Sequence, residues 1–462
     1  MPGLCNTRRV STPEDPARPA ASDMPEAGRP FDTPPVDDAL RAGITRLALL
    51  AVVGGAITGL LGGTFRIVLV ELTRSWNELL HWTRDSVGWR WLLPVALAAL
   101  AAGIARLLVR WAPEASGSGV QRVEANMRAE VPPAPLKVIP AKYVGGALAI
   151  GAGMALGREG PTVQMGASVG GGLARYAKLG RHDTRTLAAA LAGTGLGVAF
   201  SAPLGGALFV FEEVARAFRT KLVVTTFVGS AVALAVAQWL VGHQPIFLVG
   251  VVRPVPAWQL VVFALLGAIF GALGVGYNWL VLAMLRAFDQ VSHVAPEVKA
   301  AAVGACIGLL GVVAPHLIGG GDGLNERVLI ESIPIGSLLI IFAVRWVLGP
   351  FSYSAGTPGG LFAPLLLVGA SAGALIASVT NSLLPSAQLS VTAFAIVGMS
   401  TFFAATVRAP FTGVVLIIEM TATTAVVVPM VLAAGVAVLV ASKLKGPPIY
   451  ETLRLRMEKA PT

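Results

Sequence analysis

Two stretches place residues capable of chemistry inside apolar sequence. The first is Gly157-Arg158-Glu159-Gly160-Pro161, an ionisable pair between the apolar runs Gly145–Leu156 and Pro161–Leu173. Gly157, Gly160 and Pro161 stop any helix from passing straight through. Pro161 suits the first position of a new helix, where its missing N–H costs nothing. The free backbone donors and positive end of that helix then point at whatever precedes it. A carboxylate on the break, facing a helix N-terminus, describes an anion site with a built-in competing anion. The second stretch is Glu212-Glu213, which follows the nine apolar residues Pro203–Phe211. Crowded carboxyls near a membrane edge suit a proton relay. A solvated helix end is the plainer alternative, and for Glu212 that reading, or a structural acceptor, is preferred.

The surrounding elements are membrane helices. Of 462 residues, 55% are hydrophobic and 13% charged, with a mean hydropathy of +0.73; soluble domains carry about 25% charge. Leu47–Phe65, Trp91–Val109, Leu222–Val241, Trp258–Leu285 and Thr424–Ala441 approach or exceed the roughly 20 residues that cross a bilayer. The chain therefore reads as an all-α polytopic membrane protein. Gly145–Leu156, Leu187–Phe200 and Pro203–Phe211, of 12, 14 and 9 residues, are short for a crossing and end at Gly, Pro or charge. Between full spans they suggest broken or re-entrant helices, which bilayers tolerate only where protein or water satisfies the backbone. That pattern belongs to transporters and channels.

Charge and minor residues narrow the classes further. The net charge of +10 gathers at span ends, in Arg8, Arg9, Arg18, Arg29, Arg41 and Arg46 before the first span and Lys443, Lys445, Arg454, Arg456 and Lys459 after the last. This places both termini in the cytoplasm by the positive-inside rule. Without a basic-aromatic surface stretch, no nucleic-acid partner is expected. Residues 1–40 are Pro-rich and polar, which predicts a disordered cytoplasmic tail and no signal peptide, with a short surface helix near Asp37–Arg46. Trp89, Trp91, Trp239 and Trp258 sit at span ends as interface anchors. Cys5 and Cys306 lie far apart and give no disulfide framework or metal site. Five His without metal spacing, and no nucleophile beside a base, argue against an enzyme or a cofactor.

An internal repeat organises the rest. Gly166-Ala-Ser-Val-Gly170 recurs as Gly369-Ala-Ser-Ala-Gly373, Ala202-Pro203 with Gly206 and Glu212 recurs as Ala409-Pro410 with Gly413 and Glu419, and Gly193 matches Gly398. The offsets, 203, 207 and 205, define two halves of about 200 residues, and a pore at their junction is the default expectation.

Four ordered motifs carry a resemblance to a known family. They are Gly117-Ser118-Gly119-Val120, Gly157-Arg158-Glu159-Gly160-Pro161 followed by Thr162-Val163-Gln164, Gly360-Leu361-Phe362-Ala363-Pro364, and Tyr450. Over residues 45–460 the chain resembles the chloride channel (CLC) family of chloride channels and proton-coupled chloride antiporters, in its short bacterial form. The resemblance implies two inverted-topology repeats of tilted and broken helices, about 45–220 and 250–441, within a transmembrane domain 41–445. A short cytoplasmic helix at 446–462 would carry Tyr450, and the protein would be a homodimer with one pore per subunit. The hydroxyls of Ser118 and Tyr450 would hold a central chloride, completed by backbone N–H groups of Leu361 and Phe362, with Gly119 beside them and Gly160 lining an outer site. Arg158 joins the chloride-binding set by its place in the motif, although its side chain reads first as a partner for local carbonyls. Glu159 would be the gate and Glu213 the internal proton-transfer glutamate of a chloride/proton antiporter. A passive voltage- or pH-gated chloride channel of the same fold is the alternative. By the same analogy Glu124 and Arg219 would pair under the first motif, while Glu419 reads as a capping or packing carboxylate.

The pattern departs from the family in one place. Gln121 stands where the first motif usually continues to Pro, restoring an N–H and adding a polar side chain. Within the resemblance Ser118 argues for chloride over nitrate, and Ser118 with Tyr450 argues against the fluoride-exporting branch. Only 12 residues follow Tyr450, so no paired cystathionine-synthase-type domains are expected.

Overall fold

The computed structural model describes residues 38–84 and 88–459; two units are distinguished, Met1–Gly43 and Ile44–Thr462, and the site lies wholly in the second. The expected disordered tail, 1–40, falls almost entirely outside the described residues. These residues form seventeen α-helices and no strand: α1 (Asp38–Arg84), α2 (Leu92–Trp111), α3 (Val120–Met127), α4 (Val138–Gly151), α5 (Glu159–Tyr176), α6 (Arg181–Phe200), α7 (Pro203–Phe209), α8 (Thr220–Val241), α9 (Gln259–Gln290), α10 (Pro296–Val313), α11 (Asp322–Ile330), α12 (Ile335–Ser354), α13 (Phe362–Leu383), α14 (Val391–Val407), α15 (Pro410–Thr421), α16 (Val427–Lys443) and α17 (Ile449–Lys459). A single π-helical turn, Val210–Val214, extends α7.

Seven helices among the described residues are long and apolar enough to cross a membrane: Gly43–Thr83, Trp89–Trp111, α8, α9, α10, α12 and α13. The anticipated surface helix near Asp37–Arg46 is absent as a separate element, because Asp38–Arg84 is one continuous helix of 47 residues. No Gly-Pro break divides it, and at 1.5 Å per residue its apolar 41-residue part rises about 60 Å, twice the ~30 Å hydrocarbon core. Such a helix tilts steeply or projects beyond the bilayer. α13, in contrast, is buried along most of its length and runs through the middle of the protein.

The two halves are built on one plan and run in opposite directions. α6 and α14 each end in a left-handed residue, Ser201 (φ 51) and Arg408 (φ 73), followed by an Ala and a Pro that opens the next helix. Carboxylates then link the halves reciprocally. Glu212, beyond the C-terminal end of α7, accepts from the N–H groups of Phe411 (3.1 Å) and Thr412 (2.8 Å) and the Thr412 hydroxyl (2.7 Å), at the start of α15. Glu419, toward the end of α15, accepts from the N–H groups of Leu204 (3.1 Å) and Gly205 (2.7 Å), at the start of α7. Each helix start sits at the other's end, so α7 and α15 are antiparallel and the repeat is inverted. Each carboxylate also meets the positive end of a helix dipole. Glu419 is thus the capping residue the sequence suggested, and Glu212 is its symmetry mate.

The repeated Gly-Ala-Ser-x-Gly motif has a packing cause. A Cβ on Gly166 would collide with the Leu191 carbonyl, and one on Gly373 with the Phe394 carbonyl, so α5 lies backbone-to-backbone on α6 and α13 on α14.

Replacing Glu419 with Ala leaves two helix-start donors without their acceptor. A loss of about 1–2 kcal/mol is expected, read as a lower thermal unfolding midpoint in detergent. Glu419→Gln, which keeps an acceptor oxygen, should lie between Ala and wild type. An unchanged midpoint for Glu419→Ala would remove the cap from the supports of the fold.

Candidate functional site

Three loops, each leading into a helix N-terminus, meet at the centre of the molecule: Gly117–Gly119 before α3, Gly157–Arg158 before α5 and Gly359–Leu361 before α13. Backbone hydrogen bonds stitch them together. Gly157 N–H donates to Gly360 O (2.9 Å) and Gly360 N–H to Gly157 O (2.8 Å), a short antiparallel bridge, and Gly359 N–H donates to Gly117 O (3.1 Å). The approach is so close that a Cβ on Gly160 would lie 2.8 Å from Ser118 O and 3.0 Å from Gly360 Cα. Gly119 is left-handed (φ 86) and faces the Gln164 side chain, so a side chain there meets both strain and collision.

Glu159 lies inside this junction and is fully buried. Its Oε1 accepts from Phe362 N–H at 2.8 Å, at the N-terminus of α13, while Oε2 has no protein hydrogen-bond partner. The carboxylate therefore occupies the kind of place an anion takes, at a helix start. The Ser118 and Tyr450 hydroxyls lie next to each other, both buried and both without a partner. Tyr450 reaches the site from α17 and stacks on Phe362, ring centroids 5.8 Å apart, with Phe209 packed edge-on against both. Backbone donors, hydroxyls and aromatic walls without a facing carboxylate other than Glu159 suit a small monovalent anion held reversibly.

Sequence reasoning missed two residues that shape this site. Lys142 on α4 is fully buried, and its Nζ donates to Gly117 O (2.6 Å) and Ser118 O (3.2 Å), fixing the serine loop from behind. A lone lysine just before the run Gly145–Leu156 was the available signal. Tyr353, near the end of α12, accepts from Ser118 N–H at 3.4 Å and left no signal in the sequence.

Ser118, Gly119, Glu159, Gly160, Leu361, Phe362 and Tyr450 come together as a group. The Arg158 side chain is engaged differently: Nε donates to Ala199 O (2.9 Å), and Nη1 pairs with Asp322 (3.2 Å). It lines a cavity of about 610 Å³, with Gly157, Trp76, His81, His316 and Asp322, which neither Ser118 nor Tyr450 lines. Arg345 holds the neighbouring loop by donating to the carbonyls of Leu317, Gly319 and Gly320.

Glu213 sits in the π-helical turn, buried, with Oε1 unpartnered, and it shares no hydrogen bond with Glu159. The expected Glu124–Arg219 pair does not form. Buried Glu124 Oε1 instead meets Arg128 (3.1 Å), Arg216 (3.8 Å) and Arg454 (3.5 Å), whereas Arg219 contacts the His182 ring at 3.0 Å. The cause is local. Arg216, two residues past the π-helical turn, is left-handed (φ 49) and faces Glu124, while Arg219 is extended at the mouth of α8.

Relatives bear on this arrangement. Residues 99–442 match the family described as voltage gated chloride channel. The H+/Cl− exchange transporter ClcA of Salmonella paratyphi B is 36% identical over 419 residues, covering 89% of this chain and 88% of its own length. The chain belongs to this chloride channel (CLC) family. The ClcA of Salmonella typhi is 37% identical over 428 residues, with 89% of each covered. Among solved structures, a slow cyanobacterial Cl−/H+ antiporter superposes with a TM-score of 0.85 at 32% identity, covering 89% of this chain and 98% of its own. A CLC-type fluoride/proton antiporter, at 21% identity and a TM-score of 0.74, shares the fold.

Lys142→Met keeps similar volume but leaves the Gly117 and Ser118 carbonyls without their buried donor. A loss of about 1–3 kcal/mol is expected, measured as a lower unfolding midpoint. A midpoint equal to wild type would show that Lys142 does not hold the loop.

Proposed function

We propose that this protein is a secondary active chloride/proton antiporter. The observation that carries the reading is the buried Glu159 carboxylate bonded to Phe362 N–H, beside the unpartnered hydroxyls of Ser118 and Tyr450. A protein carboxylate in an anion's position is a competitor that protonation or displacement can remove. Relatives named as H+/Cl− exchange transporters at 36–37% identity support the same direction.

In the proposed cycle Glu213 takes a proton from the cytoplasmic side and passes it through water to Glu159. Protonated Glu159 leaves Phe362 N–H, and chloride enters. There it meets the backbone N–H groups of Leu361 and Phe362 and the hydroxyls of Ser118 and Tyr450, with Gly119 and Gly160 keeping the loops close enough to line its path. Arg158 acts from the outer cavity through its pair with Asp322. Glu213, buried with one oxygen free of protein partners, favours this reading over a passive channel, which needs no second carboxyl. The protein is further proposed to work as a homodimer with one pathway per subunit, in the inner membrane, with both termini cytoplasmic.

Purified protein in liposomes under a chloride gradient, with no initial pH difference, should drive protons uphill. Chloride flux with no proton movement would instead make it a channel. Glu159→Ala should keep chloride flux and lose its coupling to protons. Glu213→Gln should abolish proton transport and spare chloride; if coupling survived that change, the relay assignment would fail. Tyr450→Phe should weaken chloride binding by about 0.5–1.5 kcal/mol.

A further inference from the structure

Ser118 and Tyr450 are not the only hydroxyl-bearing residues at the centre. Tyr353 brings a hydroxyl from α12, and it is buried to 4% exposure. A buried tyrosine hydroxyl at membrane depth needs partners. Its oxygen receives Ser118 N–H at 3.4 Å, and the Gln121 side chain reaches the same hydroxyl from the first turn of α3. Packing against the serine loop is tight, since a Cβ on Gly117 would lie 2.9 Å from Tyr353 Oη. The Tyr450 hydroxyl neighbours Ser118. Three hydroxyls therefore gather at one loop.

The valences of that hydroxyl decide what it does. A tyrosine hydroxyl offers one proton and accepts others' donors at its oxygen. Ser118 N–H and the Gln121 side chain address the oxygen. Gln121 Oε1, Ser118 Oγ and Tyr450 Oη all lack hydrogen-bond partners, so none of them takes the Tyr353 proton. We propose that Tyr353 donates its hydroxyl proton to the central anion, as a third hydroxyl ligand beside Ser118 and Tyr450, with Gln121 and Ser118 N–H holding its oxygen in place. This rests on the reading of the centre as an anion site. It also gives Gln121 a task that a proline at the same position has no side-chain donor to perform. Three O–H donors suit a small, strongly hydrated anion better than a larger, weakly accepting one.

The test is calorimetric titration of purified full-length protein with chloride, bromide and nitrate. Tyr353→Phe should weaken chloride roughly three- to tenfold, and should weaken nitrate by less, because nitrate is the poorer acceptor. Gln121→Met, which keeps Tyr353 but frees its oxygen, should weaken chloride with the same bias and a smaller factor. If Tyr353→Phe does not fold, the Gln121→Met titration decides alone. Chloride affinity unchanged in the folded variants, or all anions weakened by one common factor as a displaced loop would do, overturns the assignment. Wild-type protein that binds none of these anions would overturn the anion-site reading itself, an outcome visible before any variant is made.

Discussion

Two hydrogen bonds between Gly157 and Gly360 hold the centre of this protein together, and the site depends on them. These glycines are 203 residues apart, the same offset that separates the Gly166 and Gly369 motifs. The bridge is thus a symmetry contact of the inverted repeat, with each half presenting a helix start to the other. It forces α5 and α13 to begin within reach of one buried point, where their free N–H groups have no helical partner. Glu159 and Phe362 are mates under that offset, and the first accepts a hydrogen bond from the second. A glutamate in one half and a phenylalanine in the other make a symmetric scaffold chemically one-sided.

Much of this was legible in the chain because it is local or periodic. The break at Gly157–Pro161 needs only Gly and Pro chemistry, and the repeat needs only offsets. Other features depend on contacts that no local pattern encodes. Tyr353 reaches Ser118 across 235 positions and Lys142 reaches Gly117 across 25, and neither residue advertises its target. The Glu124 partnership, expected by family analogy, went to Arg128, Arg216 and Arg454 instead, with Arg216 in a left-handed turn that no local pattern announces. α1 was read as a short surface helix followed by a 19-residue span because hydropathy marks apolar length, whereas the helix continues through polar sequence to Arg84.

The buried polar groups sort by how they are satisfied. Lys142 and Arg345 direct their donors at backbone carbonyls of irregular loops, which fixes those loops where a bilayer interior offers no water. Glu212 and Glu419 cap helix starts. At the centre, by contrast, Ser118 Oγ, Tyr450 Oη and Glu159 Oε2 have no protein partner, and Glu213 Oε1 lacks one as well. The groups proposed for transport thus each keep a free valence.

The reciprocal caps limit how such a protein can move. Many transporters with inverted repeats alternate access by rocking one repeat against the other. Here five hydrogen bonds from Glu212 and Glu419 bind α7 to α15, and the Gly157–Gly360 bridge pins the loops between them. Swinging the halves apart would break the dipole-assisted caps and the central bridge together. The proposed antiport cycle is therefore one of side-chain displacement, in which the Glu159 carboxylate would swing while the frame around it stays still.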